Sequence, residues 1–253
     1  ASNSVIQVEG GGDVESRVLR ETVVSGEGRL LTNLLPANIR LSGIRVDARF
    51  SGAITNLKHE GEIELRDFDA PRLQPMTVQA SWQAQQITFD ELALRARAGP
   101  AVVFVSGSGY AGGGRTNFIV REMSFLKGDE VYLQLPEPAR LTVTTNLEVE
   151  LEQLVLRSPA DSTLRQLELS AGLRHPNVAA FEMRATNVNP SLFQPFFERS
   201  LGGLDLEELS VAAGWSNSPL TGFVAGKFSV EEENFERLSA AVDLQMATNG
   251  ITL

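Results

Sequence analysis

The stretch Leu41-Ser42-Gly43-Ile44-Arg45-Val46-Asp47-Ala48-Arg49-Phe50-Ser51-Gly52 runs on through Ile54, Asn56, Leu57 and His59 to Gly61-Glu62-Ile63-Glu64-Leu65. Apolar and polar residues alternate on both sides of a Ser-Gly turn, the period-two signature of half-buried strands. The chain says this stretch a second time. A shift of 165 positions lays Leu41, Ile44, Val46 and Ala48 on Leu206, Leu209, Val211 and Ala213. The same shift lays Phe50 on Trp215, Gly61 on Gly226, Ile63 on Phe228 and Leu65 on Val230. One deletion later, Val78 meets Val242, Trp82 meets Met246, and Ile87-Thr88-Phe89 meets Ile251-Thr252-Leu253. Recurrence of this kind marks a unit that stacks on its neighbours because it cannot bury its apolar face alone.

The same period governs most of the chain outward from this stretch. Met76–Ser81, Gln86–Phe89, Leu92–Arg97, Phe118–Val120 and Val131–Leu135 read as strands, as does the apolar run Val102–Val105. Leu141–Leu151 alternates most clearly, sending Val143, Leu147, Val149 and Leu151 one way and Thr142, Thr144, Glu148 and Glu150 the other. Leu154 and Leu156 then change parity, which predicts a bulge or turn near Glu152-Gln153. Val14–Val24 is legible as helix or as strand. One segment departs from period two. Asn189 suits an N-cap, Pro190 a first helical position and Gly202-Gly203 a stop, with Leu192, Phe193, Phe196, Phe197 and Leu201 on one helical face. The expectation is a short amphipathic helix over 190–201.

Three segments follow: an edge segment of a truncated repeat at 1–38, a first repeat region at 39–188, and the helix plus a truncated second copy at 189–253. The fold class expected is all-β, an elongated, curled antiparallel or mixed sheet of roughly 20 strands, on the order of 80–100 Å long.

Composition removes several functions. Lys and Arg total 22 against 32 Asp and Glu, a formal charge of -10, with no basic cluster to bind nucleic acid or an anionic membrane surface. Cysteine is absent, so there is no disulfide or thiolate chemistry. No apolar run reaches the roughly 18 residues of a membrane helix, and the first residues do not form a signal peptide. Chain ends inside strand patterning suggest a piece of a longer protein.

No motif supports catalysis, a cofactor or a metal. Gly107-Ser-Gly109-Tyr-Ala-Gly112 matches a dinucleotide fingerprint by letter, but Gly113-Gly114 and another strand follow where a helix is required. It reads as a glycine-rich hairpin. His59 and His175 stand far apart in polar, turn-like contexts and read as exposed. Glu148 and Glu150 belong to a solvated row, and Glu231-Glu232-Glu233 to a charged turn.

From Val46 to Gly109 the order is strand, Ser51-Gly52, Asn56-Leu57, Gly61, strand, Pro71 and Pro75, strand, Ile87-Thr88-Phe89, Leu92, and Val103 to Gly109. Residues 189–230 add Asn189-Pro190, the apolar segment, Gly202-Gly203-Leu204-Asp205-Leu206 and Gly226-Lys227-Phe228. This order resembles the AsmA-like superfamily and, within it, the TamB family of bacterial cell-envelope proteins, over roughly residues 40–253.

The resemblance implies a sheet folded lengthwise into an open, U-shaped apolar trough of the β-taco kind. It implies a periplasmic segment of a protein anchored in the inner membrane outside this chain, shielding phospholipid acyl chains between inner and outer membranes. Help with outer-membrane protein assembly, with a β-barrel partner, is implied for the TamB translocation and assembly module. The lining then comprises Val46, Ala48, Phe50, Ile63, Leu65, Trp82, Val103, Val105, Val143, Leu147, Val149, Leu151, Val211, Trp215, Phe228 and Val230. The alternatives from other classes are a structural β-solenoid or sandwich of a surface or adhesion protein with a sealed core, and a carbohydrate-active β-helix enzyme.

Overall fold

Alternation becomes strand almost wherever it occurs. The computed structural model describes residues 5–13, 15–28, 39–146, 148–159, 165–174, 178–198, 204–216, 221–232, 235–247 and 250–252. Its strands are β1 (Val5–Glu9), β2 (Gly12–Asp13), β3 (Val18–Gly28), β4 (Gly43–Ala53), β5 (Lys58–Phe68) and β6 (Met76–Gln85). Then come β7 (Thr88–Ala98), β8 (Ala101–Gly112), β9 (Arg115–Lys127), β10 (Glu130–Gln134), β11 (Ala139–Thr144) and β12 (Glu148–Arg157). The last are β13 (Gln166–Arg174), β14 (Val178–Val188), β15 (Leu204–Ser216), β16 (Thr221–Glu232), β17 (Phe235–Ala247) and β18 (Gly250–Thr252). All 18 belong to one sheet. Every ladder among the described residues is antiparallel, so the mixed option falls away. The ambiguous Val14–Val24 region resolves as strand from Val18 onward.

Two positions in the meander hold a pair of short strands where one long strand would stand. Both β1 and β2 pair with β3, separated by Gly10-Gly11. Both β10 and β11 pair with β9, separated by Leu135-Pro136-Glu137-Pro138. Proline has no N–H for the ladder, so the two prolines break one strand in two. The glycine-rich motif is the arm of a hairpin: β8 and β9 meet at Gly113 and Gly114, whose φ angles of 60° and 74° are those of a type I′ turn.

The expected α-helix at 190–201 is absent. Within the described residues 190–198 the backbone makes two 3-10 turns, Pro190–Leu192 and Gln194–Phe196, and then a β-bridge between Phe197 and Leu73. The start was sound, since the Asn189 side chain accepts from Ser191 N at 2.8 Å. Pro195 is the reason the helix stops. It offers no N–H to the carbonyl four residues back and crowds the preceding turn. Three-residue bonds replace the α pattern, with Phe193 N on Pro190 O and Phe196 N on Phe193 O, each at 2.9 Å. Leu201 and Gly202-Gly203 lie outside the described residues.

Candidate functional site: one apolar face

Residues directly opposite in a ladder project from the same side of a sheet, so the register assigns faces strand by strand. Val46, Ala48 and Phe50 stand opposite Ile63, Gly61 and His59. Ile63 and Leu65 face Ala80 and Val78, and Trp82 faces Gly61. Ala80 and Ala96 lead on to Leu94 and Val103, and Leu94 to Val105. Val103 and Val105 meet Phe125 and Met123. Val143 meets Val149, and Leu151 meets Leu141. Val149 and Leu151 pass to Leu173 and Ala171. Val211 stands between Met183 and Val224, and Trp215 pairs with Ala179. Phe228 and Val230 occupy ladder positions opposite Leu206 and Leu204. All the expected lining residues within the described chain therefore hold positions on one continuous face, while Leu147 lies outside the described residues. Leu94, Phe118, Leu141, Met123 and Phe181 belong to the same face and were not singled out from the sequence.

The face survives its own irregularities. Where apolar residues are three apart and not two, the ladder shifts and an extra residue is absorbed: Leu65/Phe68, Phe89/Leu92, Leu151/Leu154 and Leu206/Leu209. A bulge re-aims the following side chains, so each parity change in the sequence keeps the apolar series on one side. Asp67, the extra residue at the first of these, has a φ of 47°.

The opposite face carries most of the charges, and also Val102, Phe104, Tyr110, Ile119 and Phe223. Arg49 pairs with Glu60 at 3.6 Å and Arg140 with Glu152 at 3.3 Å, all well exposed. A hydrogen bond and the charge of Glu64, with Glu27 beyond it, hold the Arg66 guanidinium above its ordinary pKa. Asp47 does the same to Arg45. Exposed pairs of this kind contribute about 0–1 kcal/mol each, so they keep this face wet without deciding the fold. Two depressions of about 570 Å³ each open mainly among these polar residues. One is lined by Arg45, Asp47, Glu60, Glu62 and Glu91, the other by Arg115, Arg121, Glu150 and Glu152. Charged walls of both signs make them poor receptacles for an apolar ligand. Among the described residues no three acidic or histidine side chains are placed to hold a metal ion, and no helix is long and apolar enough to cross a membrane.

His59 corrects its sequence reading. It sits half-buried on the apolar face, stacked on Phe50 with Phe89 edge-on, both at 6.1 Å between centroids. Trp82 Nε1 donates to His59 Nδ1 at 3.0 Å. Indole N–H only donates, so Nδ1 must accept and Nε2 carries the proton that goes to Gln86 O at 2.9 Å. The Trp82 indole lies across Gly61, where a Cβ would come within 2.5 Å of Cζ2. His175 lies outside the described residues.

Burial along the face is uneven. Leu94, mid-strand in β7, and Phe181, the fourth residue of β14, remain 42% and 36% exposed, whereas Ala48, mid-strand in β4, is 5% exposed. Sealed packing gathers in two clusters at one end of the strands, Leu133, Ala139, Leu154, Leu156 with Leu192, and Met76, Ala98, Ala101 with Phe196. Both are closed by the segment that follows β14.

The ladder also refines the internal repeat. Ala48–Gly61–Trp82 recurs as Ala213–Gly222–Met246, and Val46–Ile63–Ala80 as Val211–Val224–Leu244. The structural counterpart of Gly61 is thus Gly222, not Gly226 as the sequence shift has it, because β15 makes its last pair at Gly214, the counterpart of Arg49, whereas β4 pairs on to Ser51. A scan of protein-family models and searches of curated proteins and solved structures found no match to this chain.

Proposed function

We propose that the apolar face is the floor of an open trough that shields phospholipid acyl chains, in a periplasmic segment of a TamB-type, AsmA-like envelope protein. The observation that carries this reading is the ladder-continuous apolar face, with Leu94 and Phe181 still open to solvent at its centre. A single sheet of this kind has no second layer among the described residues. Large exposed apolar surfaces on soluble chains mark binding sites. Acyl chains suit the face, since it offers length and no polar partners, and each buried methylene contributes about 0.8 kcal/mol.

On this reading the longer protein is anchored in the inner membrane, the segment hands lipid toward the outer membrane, and an outer-membrane β-barrel is a candidate partner.

The sealed clusters under Leu192 and Phe196 favour a second reading, a structural solenoid with a closed core. Native mass spectrometry of the purified chain separates the two. Co-purified phospholipid in stoichiometric amount is expected of the trough, and a lipid-free chain that stays folded and monomeric would sink it.

A further inference from the structure

We infer that the polar face carries a binding groove for a neutral oligosaccharide, floored by Tyr110, Asn117, Thr142 and Glu150. The groove lies on the side of the sheet away from the apolar face, so the inference stands apart from the trough reading.

Ladder positions lay out the floor. Tyr110 stands opposite Asn117, Asn117 opposite Thr142, Thr142 opposite Glu150, and Glu150 opposite Gly172. This row crosses the strands, and its four ladder steps span about 19 Å. Two depressions follow it, of about 570 Å³ and about 210 Å³, and both are lined by Arg115, Thr142 and Glu150. They are parts of one groove. The larger part alone falls among small-molecule sites, which run to about 300–1,000 Å³.

An aromatic ring lies in that floor. Tyr110 is 49% exposed, yet a Cβ on Gly112 would stand 2.6 Å from its Cζ. The tip of the ring is therefore as low as a methyl group on the sheet, and the side chain lies down along its strand. Ile119, 40% exposed, adds apolar surface to the same depression.

The polar groups beside the ring are left for a ligand. Asn117 Oδ1 accepts from Thr142 Oγ1 at 3.2 Å, so the Asn117 amide N–H groups remain to donate. Arg115, Arg121 and Glu150 form no ion pair among the described residues. The depression of equal volume near Arg45 is the contrast. There Arg45 is paired with Asp47 at 2.8 Å and Arg49 with Glu60 at 3.6 Å, and Trp82 belongs to the other face.

Charge and backbone narrow the ligand class. Arg115, Arg121 and Arg140 are balanced by Asp90, Glu150 and Glu152, and those carboxylates repel a polyanion. A peptide strand is taken up at an unpaired sheet edge, whereas the strands beneath this groove are paired on both sides. Hydroxyl groups both donate and accept, so a sugar can answer guanidinium, amide and carboxylate alike. The apolar face of a pyranose ring packs on an aromatic ring, and the length of the row suits several linked rings.

Isothermal titration calorimetry of the purified chain with cellotetraose, chitotetraose and maltotetraose tests the groove. At least one of the three is expected to bind with a Kd of about 1 mM or tighter. Tyr110→Ala should weaken that binding at least about tenfold, and Tyr110→Phe, which keeps the ring, should hold it within about threefold. Circular dichroism melting checks that each variant is folded. If Tyr110→Ala melts early, Arg115→Ala, which removes an exposed side chain without an ion pair, is read in its place with the same tenfold loss expected. Arg49→Ala, in the other depression, should leave binding unchanged. No binding of any of the three sugars by the folded chain overturns the inference, and so does binding that the folded Tyr110→Ala variant retains. A heparin tetrasaccharide bound more tightly than all three would make this an anion site and overturn it as well.

Discussion

Leu94→Arg tests the openness of the face and its role together. Leu94 stands mid-strand in β7 between Ala80 and Val105 and is 42% exposed, so a little over half of its side chain is out of water. Complete burial of a leucine contributes about 1.5–3 kcal/mol, which makes the share lost here about 1–2 kcal/mol. The arginine head need not stay on the face, because its stem is long enough to reach solvent through the opening. For a chain of this size that loss lowers Tm by about 2–8 °C. In a sealed core the same change strands an unpaired charge at about 3–5 kcal/mol and leaves little folded protein. Ser81→Arg is the control, an exposed position opposite Glu62 on the charged face. Circular dichroism melting and cis-parinaric acid uptake are measured on both variants. The expected result is Leu94→Arg folded with uptake largely lost, and Ser81→Arg unchanged in both. An unfolded Leu94→Arg refutes the open face, and full uptake by a folded one refutes the lipid role.

Gly61→Ala should lower stability by about 1–3 kcal/mol, because the new Cβ meets the Trp82 indole and lies 2.8 Å from Asp47 O. Gly43→Ala, with nothing within 4 Å of its Cβ, should be neutral or gain about 0.5–1 kcal/mol, and equal melting of the two would show that the indole does not lie on Gly61. Arg72→Gly, at a φ of 68°, should stabilise loop 69–75 and raise Tm by about 1–4 °C, and a fall would mean that the arginine side chain anchors the loop.

The face was legible because alternation and bulges leave plain traces: Leu151 to Leu154 announced a parity change, and the ladder shift occurs there. The segment after β14 was misread as a helix because capping and amphipathicity at Asn189–Phe197 outweighed Pro195, whose missing N–H decides against an α-helix. His59 was read from its neighbours Lys58 and Glu60, which project to the other side, while its own position is shared with Phe50 and Ala84. The repeat was found but slipped by four residues at Gly226, because identity of residue type does not record where a hairpin turns.

Two ways of covering an apolar face coexist in this chain, and their contrast is informative. At one end the chain supplies its own cover, and there Leu133, Leu156 and Ala101 are 0–1% exposed. That level of burial is what sealed packing yields in this sheet. Mid-strand the same face is uneven, with Ala48 and Val120 at 5% and 6% but Leu94 and Phe181 at 42% and 36%. A second layer among the described residues would have brought them toward the sealed values, since protein interiors close to within a fraction of a side chain. The strands between carry charges on the far side, in Glu60, Glu62 and Arg95, so the sheet has no option of turning over to hide its apolar side. On the proposed reading, what covers Leu94 and Phe181 comes from outside the described residues and is apolar along its length. A protein partner would need a matching face of alternating residues, whereas acyl chains need only be long, and that difference in what must be specified is why the lipid reading is preferred.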